Sequence, residues 1–376
     1  MHSLSVSERQ RVEIIRCLLQ NPRLLIMDEP TSVLTPQAAK KLFETLRKLA
    51  GEGCSILYIS HKLDEIKALC ESATVLRAGR VTGTCDPRQE TTSSMARLMI
   101  GSELPLHRHP EAAGGREARL VIDGLSHASS DPFGTDLDDI HLTVHSGEIV
   151  GIAGVSGNGQ QELLAALSGE QLVRAPATIR ICGVAAAAFA PDARRDLGMC
   201  FVPEERLGRG AVPSMSLADN ALLTAHRSGM LRAGMVRAGE VDAFTRRCIE
   251  RFNVKCGGAG AEANSLSGGN LQKFIVGREI LQSPQLLIVS QPTMGVDVGA
   301  AAFIRQSLID LRNAGTAVLV VSEELDELFE ICDRIAVIAN GRLSPLKAVA
   351  ETNVEEIGVW MSGMWPSAQH PEAAHA

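Results

Sequence analysis

Residues 149–167 read IVGIAGVSGNGQQELLAAL and combine three features in a fixed order. An apolar run, Ile149 to Ala153, leads into a glycine-rich turn, Gly154 to Gln161, and the turn leads into a helix-forming segment, Glu162 to Leu167. Glycines in such a turn let backbone N–H groups surround a phosphate at the positive end of the next helix. The stretch predicts a strand, a phosphate-binding loop and a helix, with a glycine turn that binds nothing as the alternative.

The turn fits the G-x-x-x-x-G-K-[ST] frame of phosphate loops except at its last two positions. Gln160 stands where the frame has lysine, and Gln161 stands where it has the hydroxyl that holds Mg²⁺. We expect nucleotide contacts from the turn as a whole, namely from Gly154, Ser156, Gly157, Asn158, Gly159, Gln160 and Gln161.

The chain contains an internal repeat with an offset of 262 residues. Leu4 to Gln10 is echoed by Leu266 to Gln272, and the segments Leu24 to Thr31 and Ile59 to His61 recur at the same offset. Each copy reads as helix, apolar strand, helix, apolar strand and helix, which indicates an α/β fold with a parallel sheet. Two domains also suit a chain of 376 residues with 45% hydrophobic residues.

We expect four segments along the chain. Residues 1–98 form the first repeat, 99–118 a linker rich in glycine and proline, 119–352 the second repeat and 353–376 a frayed tail. The net charge of -7 argues against nucleic acid as a partner, because binding along a phosphate backbone needs a basic face. The longest apolar runs are too short to cross a bilayer, so a membrane role requires partner chains.

The repeated segments resemble the ATP-binding-cassette (ABC) ATPases. The Leu-Ser-x-x-x-x-Gln blocks look like the cassette signature, Leu24 to Glu29 looks like the Walker B strand, and His61 looks like the switch histidine. The resemblance covers residues 1 to about 350 and implies tandem P-loop cassettes, each with a parallel-sheet core and a helical signature subdomain. Within the family it is closest to the double-cassette subunits of nucleoside and simple-sugar importers, and Leu266 to Arg278 favours the nucleoside branch.

The resemblance implies two composite nucleotide sites, each formed by the phosphate loop of one cassette and the signature of the other. The loop at Gly154 to Gln161 would meet the first signature, with Ser5 and Ser7. This site would be served by three degenerate residues, Ser290, Gln291 and Glu323, which replace a Mg²⁺-holding Asp, a water-orienting Glu and a switch His. We expect this site to bind nucleotide or to regulate rather than to hydrolyse.

The resemblance assigns a complete catalytic set to the other site. Asp28 would hold Mg²⁺ through water, Glu29 and His61 would be catalytic, and the second signature would contribute Ser267, Gly268 and Gly269. A cassette needs a phosphate loop well before its signature, and only Met1, His2 and Ser3 precede this one. We expect a truncated gene model, a frameshift or an internal start codon, with a purposeful short form as the alternative.

Two expectations follow from the missing loop. The chain alone should hydrolyse little ATP. A Walker B strand is also expected to lie beside its phosphate-loop strand, so the strand Leu24 to Met27 should have unpaired backbone groups and an uncovered apolar face.

The function implied is that of the ATP-binding subunit of an importer, with ATP and Mg²⁺ as cofactors. It would lie in the cytoplasm on the inner face of the cell membrane, with two integral-membrane permease subunits, an extracytoplasmic substrate-binding protein and no nucleic acid as partners. Glu204 occupies the position of the glutamine in the family's Q-loop, which couples a cassette to the permeases. The alternatives are a non-hydrolysing pseudoenzyme and a tandem cassette protein that acts on ribosomes or DNA.

Overall fold

The computed structural model describes residues 6–20, 22–31, 34, 36–60, 62–77, 79–100 and 117–366. The chain divides into two compact units that are interleaved along the sequence. Unit 1 comprises Met1–His109, Pro203–Gln282 and Pro292–Leu308, and unit 2 comprises Pro110–Val202, Ser283–Gln291 and Ile309–Ala376. The segment boundaries expected from the sequence stay a prediction.

The first repeat contains four helices and four strands among its described residues: α1 (Val6–Leu18), β1 (Leu24–Asp28), α2 (Pro36–Gly51), β2 (Ser55–Ile59), α3 (Leu63–Leu69), β3 (Ala73–Arg77), β4 (Arg80–Cys85) and α4 (Thr92–Ile100). The rest of the chain forms β5 (Ala118–His127), β6 (Leu137–His145), β7 (Ile149–Ala153), α5 (Gln160–Ser168), β8 (Ile179–Ile181), β9 (Val184–Ala185), α6 (Pro191–Asp196), β10 (Met199–Val202), α7 (Leu217–Ala225), β11 (Leu231–Arg232), β12 (Met235–Val236), α8 (Ala238–Arg251), α9 (Gly268–Ile280), β13 (Leu286–Ser290), α10 (Val298–Asn313), β14 (Ala317–Ser322), α11 (Leu325–Ile331), β15 (Arg334–Ala339), β16 (Arg342–Leu343), β17 (Lys347–Ala348) and α12 (Val354–Trp360).

A seven-stranded sheet forms the centre of unit 2. Its strand order is β10-β13-β14-β7-β15-β16, and β17 pairs with β15. The five strands β10, β13, β14, β7 and β15 run parallel, whereas β16 and β17 run antiparallel to β15. Every residue of β7, β13 and β14 is buried, as expected for parallel strands covered on both faces.

A four-stranded antiparallel sheet, β6-β5-β8-β9, covers part of the same core. Its apolar residues, such as Leu120 and Ile181, belong to one buried cluster with Leu163 and Leu167 of helix α5. The helix that follows β7 is therefore fixed by apolar side chains along its buried side.

The structure confirms the repeat, since elements of the two copies begin at positions separated by the predicted offset. Strand β1 corresponds to β13, α2 to α10, β2 to β14 and α3 to α11, and helix α1 has the bounds of α9 shifted by 262 residues. The turn after the first strand is also repeated: Glu29 has φ 44° and Gln291 has φ 47°. Each donates its N–H to the last carbonyl in the register of the neighbouring strand, at Ile59 and Val321 respectively, over 2.8 Å.

The expectation for the strand order is wrong in the second repeat. The counterpart of the Walker B strand, β13, lies between β10 and β14, whereas β7 lies between β14 and β15. One neighbour of the phosphate-loop strand β7 is therefore β14, which corresponds to β2. The counterpart of β1, strand β13, does not pair with β7. Uniformly apolar strands do not reveal their order, because every one of them suits any buried position in the sheet.

The apolar face of the first repeat is more exposed than its counterpart. Leu24 and Ile26 are 59% and 60% exposed, and Leu57 and Ile59 are 52% and 45% exposed. The four equivalent side chains are at most 2% exposed: Leu286, Ile288, Leu319 and Val321. Strand β1 buries only alternate residues, so one of its faces contacts the helices and the other contacts solvent.

The expectation of a frayed tail is wrong for residues 354–366. Helix α12 is capped by Asn353, whose side chain accepts a hydrogen bond from the N–H of Glu356. Ile357 and Trp360 are buried, and Lys347 forms an ion pair with Glu356 at 2.7 Å. Residues 367–376 lie outside the described part of the chain. In the described ranges, no helix has the length and hydrophobicity needed to cross a membrane.

The difference in burial predicts unequal backbone protection in the two repeats. Amide hydrogens of residues 24–28 and 55–59 should exchange faster than those of 286–290 and 317–322, because β1 and β2 pair in a two-stranded sheet while β13 and β14 have a neighbour on both sides. Hydrogen exchange followed by mass spectrometry measures both repeats in one sample, so each peptide has its counterpart as a control. Equal protection in the paired peptides would contradict the prediction.

Candidate phosphate-binding site

The predicted phosphate loop lies between β7 and α5. Gly157 and Gly159 have φ values of 85° and 107°, which side chains with a Cβ rarely adopt, and Gly159 is the N-cap residue of α5. The prediction of strand, glycine turn and helix is confirmed. The turn therefore lies at the N-terminus of a nine-residue helix, where backbone N–H groups and the helix dipole favour an anion.

Two neighbouring segments hold the loop. The Asn158 side chain accepts a hydrogen bond from the N–H of Asn340 at 2.9 Å, and its backbone carbonyl accepts one from Gly341 at 3.0 Å. The Thr135 hydroxyl donates to the carbonyl of Gly157 at 2.8 Å. A Cβ at Gly341 would lie 1.8 Å from the carbonyl oxygen of Asp136, so only glycine fits this turn.

The two glutamines of the loop have different surroundings. The Oε1 atom of Gln160 accepts a hydrogen bond from the N–H of Asn158 at 3.0 Å, and its Nε2 atom donates to the carbonyl of Val155 at 2.8 Å. Gln161 is exposed. The sequence placed both at ligand positions, but only Gln160 forms hydrogen bonds inside the loop.

The three degenerate residues come together at the carboxyl ends of β13 and β14. Ser290 and Gln291 are buried, and the Gln291 Oε1 atom accepts hydrogen bonds from the Ser322 hydroxyl at 3.4 Å and from the N–H of Glu323 at 3.2 Å. The Gln291 side chain is thus held by the end of the neighbouring strand. Since β14 pairs with β7, this group lies at the same edge of the sheet as the phosphate loop.

These residues do not suit Mg²⁺. Mg²⁺ prefers carboxylate and water oxygens in octahedral geometry, whereas the two positions that hold Mg²⁺ in phosphate-loop proteins are occupied here by the amide of Gln161 and the buried hydroxyl of Ser290. No group of three or more His, Cys, Asp or Glu residues that could hold a metal occurs within the described ranges.

The first repeat has carboxylates at the equivalent strand end. Asp28 is the last residue of β1 and is exposed, and Glu29 follows it in the repeated left-handed turn. A single carboxylate fits Mg²⁺ as an oxygen ligand, so Asp28 is chemically suited to the role that the sequence assigned to it. His61 and Ser5 lie outside the described residues, and Ser7 lies in α1 with its side chain outside them as well.

Sequence reasoning missed a hydrogen-bonded carboxylate that is present in both repeats, half-buried at Glu65 and buried at Glu327. Glu65 accepts hydrogen bonds from the hydroxyls of Thr31 at 2.6 Å, Tyr58 at 2.7 Å and Ser60 at 3.2 Å. Burial and the Glu65 carboxylate raise the pKa of Tyr58 well above its usual range. Glu327, at the same offset, accepts a hydrogen bond from the Ser322 hydroxyl at 2.8 Å. The repeat itself was the signal that could have revealed this pair.

The second signature begins helix α9. Ser267 is its N-cap residue, and the Ser267 hydroxyl accepts a hydrogen bond from Asn270 at 2.8 Å. A Cβ at Gly268 would lie 2.7 Å from a guanidinium nitrogen of Arg206, which also donates to the carbonyl of Gly295 at 3.5 Å. Gly269 is buried. Sequence analysis predicted no contact between Arg206 and the signature, but the fold places the positive charge of Arg206 beside it.

Glu204 follows strand β10 and is half-buried. Burial raises the pKa of its carboxyl group, the nearby Arg209 opposes this shift, and Glu205 adds to it. Phe133 belongs to none of the motifs recognised in the sequence. Its side chain is 73% exposed, and it lies two residues before Thr135, which contacts the phosphate loop.

Comparison with known proteins links the chain to one family. The family model described as ABC transporter matches residues 1–32 and 137–294. A nucleoside import ATP-binding protein of Lactococcus lactis is 38% identical over 362 residues, which are 96% of this chain and 71% of that protein. A guanosine import ATP-binding protein of Bacillus subtilis is 39% identical over 96% of this chain and 70% of its own length. A glucose import ATP-binding protein of Haloferax volcanii is 39% identical over 96% of this chain and 66% of its own length.

Solved structures agree on the fold. An ATP-binding subunit of an ABC transporter superposes with a TM-score of 0.54 at 21% identity, over 65% of this chain and 99% of that one. A dimeric ATP-binding cassette in a post-hydrolysis state with ADP and phosphate superposes with a TM-score of 0.53 at 19% identity, over 61% of this chain and 98% of that one.

The raised pKa of Glu204 predicts a pH-dependent effect on stability. A carboxyl group whose pKa is higher in the folded chain favours folding while it is protonated, and this contribution is lost as the pH rises through the folded-state pKa. The change Glu204→Gln should therefore raise the midpoint of thermal unfolding at pH 8, and the gain should shrink towards pH 4. Glu205→Gln, at the exposed neighbour, is the control. A gain that is equal at both pH values would contradict the prediction.

Proposed function

We propose that this chain, which belongs to the ABC transporter family, is the ATP-binding subunit of an importer for nucleosides or simple sugars. The observation that carries the proposal is the repeated strand end. Glu29 and Gln291 have the same backbone conformation and the same hydrogen bond to a neighbouring strand, but only Glu29 has a carboxylate. The two halves share a scaffold and differ in their chemistry.

The hydrolytic site uses the strand end of the first repeat. Asp28 would hold Mg²⁺, Glu29 would orient or deprotonate the attacking water, and His61 would contact the γ-phosphate. The signature Ser267, Gly268 and Gly269 covers the terminal phosphate with a hydroxyl and with backbone N–H groups at the start of α9.

The second site binds nucleotide without hydrolysing it. The loop from Gly154 to Gln161 surrounds the phosphates, and the first signature, with Ser5 and Ser7, closes over them. The held amide of Gln291 cannot act as a general base, because an amide does not accept a proton near neutral pH. Phe133 offers an exposed aromatic face for a nucleobase on the loop side of the same unit.

The partners are inferred from the relatives, whose names describe ATP-binding proteins of import systems. Two integral-membrane permeases provide the transport path, a substrate-binding protein outside the membrane selects the cargo, and this chain lies on the cytoplasmic face. Glu204 belongs to the loop that contacts the permeases.

The unequal strand ends predict unequal responses to mutation. In the assembled importer, Glu29→Gln should lower ATP turnover by about 10²–10⁴-fold, the usual contribution of a general base. Gln291→Ala alters the equivalent position and is the matched control, with an expected change of less than about threefold. Turnover is measured as phosphate release at saturating ATP. Similar losses in both variants would contradict the proposed asymmetry.

The absence of suitable Mg²⁺ ligands at the loop predicts metal-independent binding there. A fluorescent ATP analogue should bind the full chain with nearly the same affinity in Mg²⁺ and in excess chelator. Gly157→Asp should abolish this binding, because it places a negative charge among the phosphate-binding N–H groups. A tenfold or greater loss of affinity on chelation, about 1.4 kcal/mol, would contradict the prediction.

A further inference from the structure

The side chain of Gln160 turns back into the phosphate loop. Its Oε1 atom lies 3.0 Å from the backbone nitrogen of Asn158, and its Nε2 atom lies 2.8 Å from the carbonyl oxygen of Val155. One backbone N–H of a loop that is built to present such groups to an anion is therefore already bonded to an uncharged oxygen of the same chain.

The space around Gly154 shows where this side chain lies relative to the start of the loop. A Cβ at Gly154 would lie 2.5 Å from the Nε2 atom of Gln160, so the amide lies directly over the first glycine of the loop. A side chain there crosses the turn from its last residues to its first. Its Oε1 atom holds an N–H that a phosphate group surrounded by the loop would need.

We propose that Gln160 is an internal competitor of the nucleotide: its Oε1 atom occupies the N–H of Asn158 and so lowers the affinity of the loop for ATP. The inference rests on the proposed nucleotide site and adds the role of this residue there. An incoming phosphate must displace the Oε1 atom from the N–H of Asn158 before the N–H can bind it.

The direction of the effect separates this role from that of a direct ligand. A lysine at this position attracts phosphate by its charge, so its removal weakens binding. The amide of Gln160 is neutral, and its two hydrogen bonds have to be broken when nucleotide enters. Its removal should therefore strengthen binding.

Truncation at this position should be tolerated by the fold. The carbonyl of Val155 also accepts a hydrogen bond from the side chain of Asn158 at 2.8 Å, so it keeps a partner when Gln160 is shortened. The N–H of Asn158 becomes available to a ligand. Gln160 is only half-buried, so the change leaves no closed cavity.

The experiment measures the affinity of the full chain for a fluorescent ATP analogue. Gln160→Ala should bind it about three- to tenfold more tightly than the unaltered chain, a range that follows from the usual net strength of one or two hydrogen bonds. Gln285→Ala removes the same side chain from an exposed position just before β13, at the end of that strand opposite to the loop, and should leave the affinity unchanged. Gly157→Asp identifies the loop as the binding place. Gln160→Met, which keeps the volume and removes the hydrogen bonds, replaces Gln160→Ala if thermal unfolding shows that the alanine variant is not folded.

The outcomes distinguish the two proposals. Internal competition is supported if only the Gln160 variant binds the analogue more tightly than the unaltered chain. This includes the case in which the unaltered chain binds too weakly to measure. Weaker or equal binding by Gln160→Ala, or equal strengthening by Gln285→Ala, overturns it while the nucleotide site stands. No binding by any variant, Gln160→Ala and Gln160→Met included, overturns the nucleotide site itself, and the competition with it.

Discussion

The position of β7 between β14 and β15 is the constraint on which unit 2 depends. Parallel pairing on both edges brings the phosphate loop and the ends of β13 and β14 to one edge of the sheet. It also completes a sheet whose faces are covered, so Ile288 and Leu319 are fully buried. In the first repeat, the described residues provide no such strand beside β2, and Ile26 and Leu57 are more than half exposed. A single strand thus determines burial and site geometry together.

The two repeats share the backbone structure of their strand ends but differ in the side chains there. Both repeats keep a carboxylate, Glu65 or Glu327, that accepts a hydrogen bond from a serine hydroxyl at the end of the neighbouring strand. Both also keep the left-handed turn, whose N–H bonds to that strand. At the strand end the carboxylates differ, since Ser290 replaces Asp28 and Gln291 replaces Glu29. Groups that hold the backbone are retained where the carboxylates proposed for hydrolysis are not.

Sequence reasoning reached the features that depend on local pattern. The offset of the repeat, the strand before the glycine turn and the helix after it follow from the periodicity of apolar residues and from glycine spacing, and the structure confirms them. The strand order did not follow, because it depends on tertiary packing. Helix α12 was missed although Asn353 and Glu356 form a local capping pattern at its start. The contact of Arg206 with Gly268 joins residues 62 positions apart, and no local signal encodes it.

The charges around the loop suit the proposed binding of a nucleotide with neither lysine nor Mg²⁺. The cation of the usual loop and the carboxylate of the usual strand end are both replaced by amides, Gln160 and Gln291, so the exchange adds no net charge. Attraction for phosphates then comes from the N-terminus of α5 and the loop N–H groups. The Glu162 carboxylate in the first turn of α5 accepts a hydrogen bond from Thr135 at 3.0 Å, which holds it against the neighbouring segment. Since attraction then depends on backbone groups, a single internal hydrogen bond to the N–H of Asn158 is enough to change the affinity several-fold. Gln160 can therefore affect nucleotide affinity in this loop without carrying a charge.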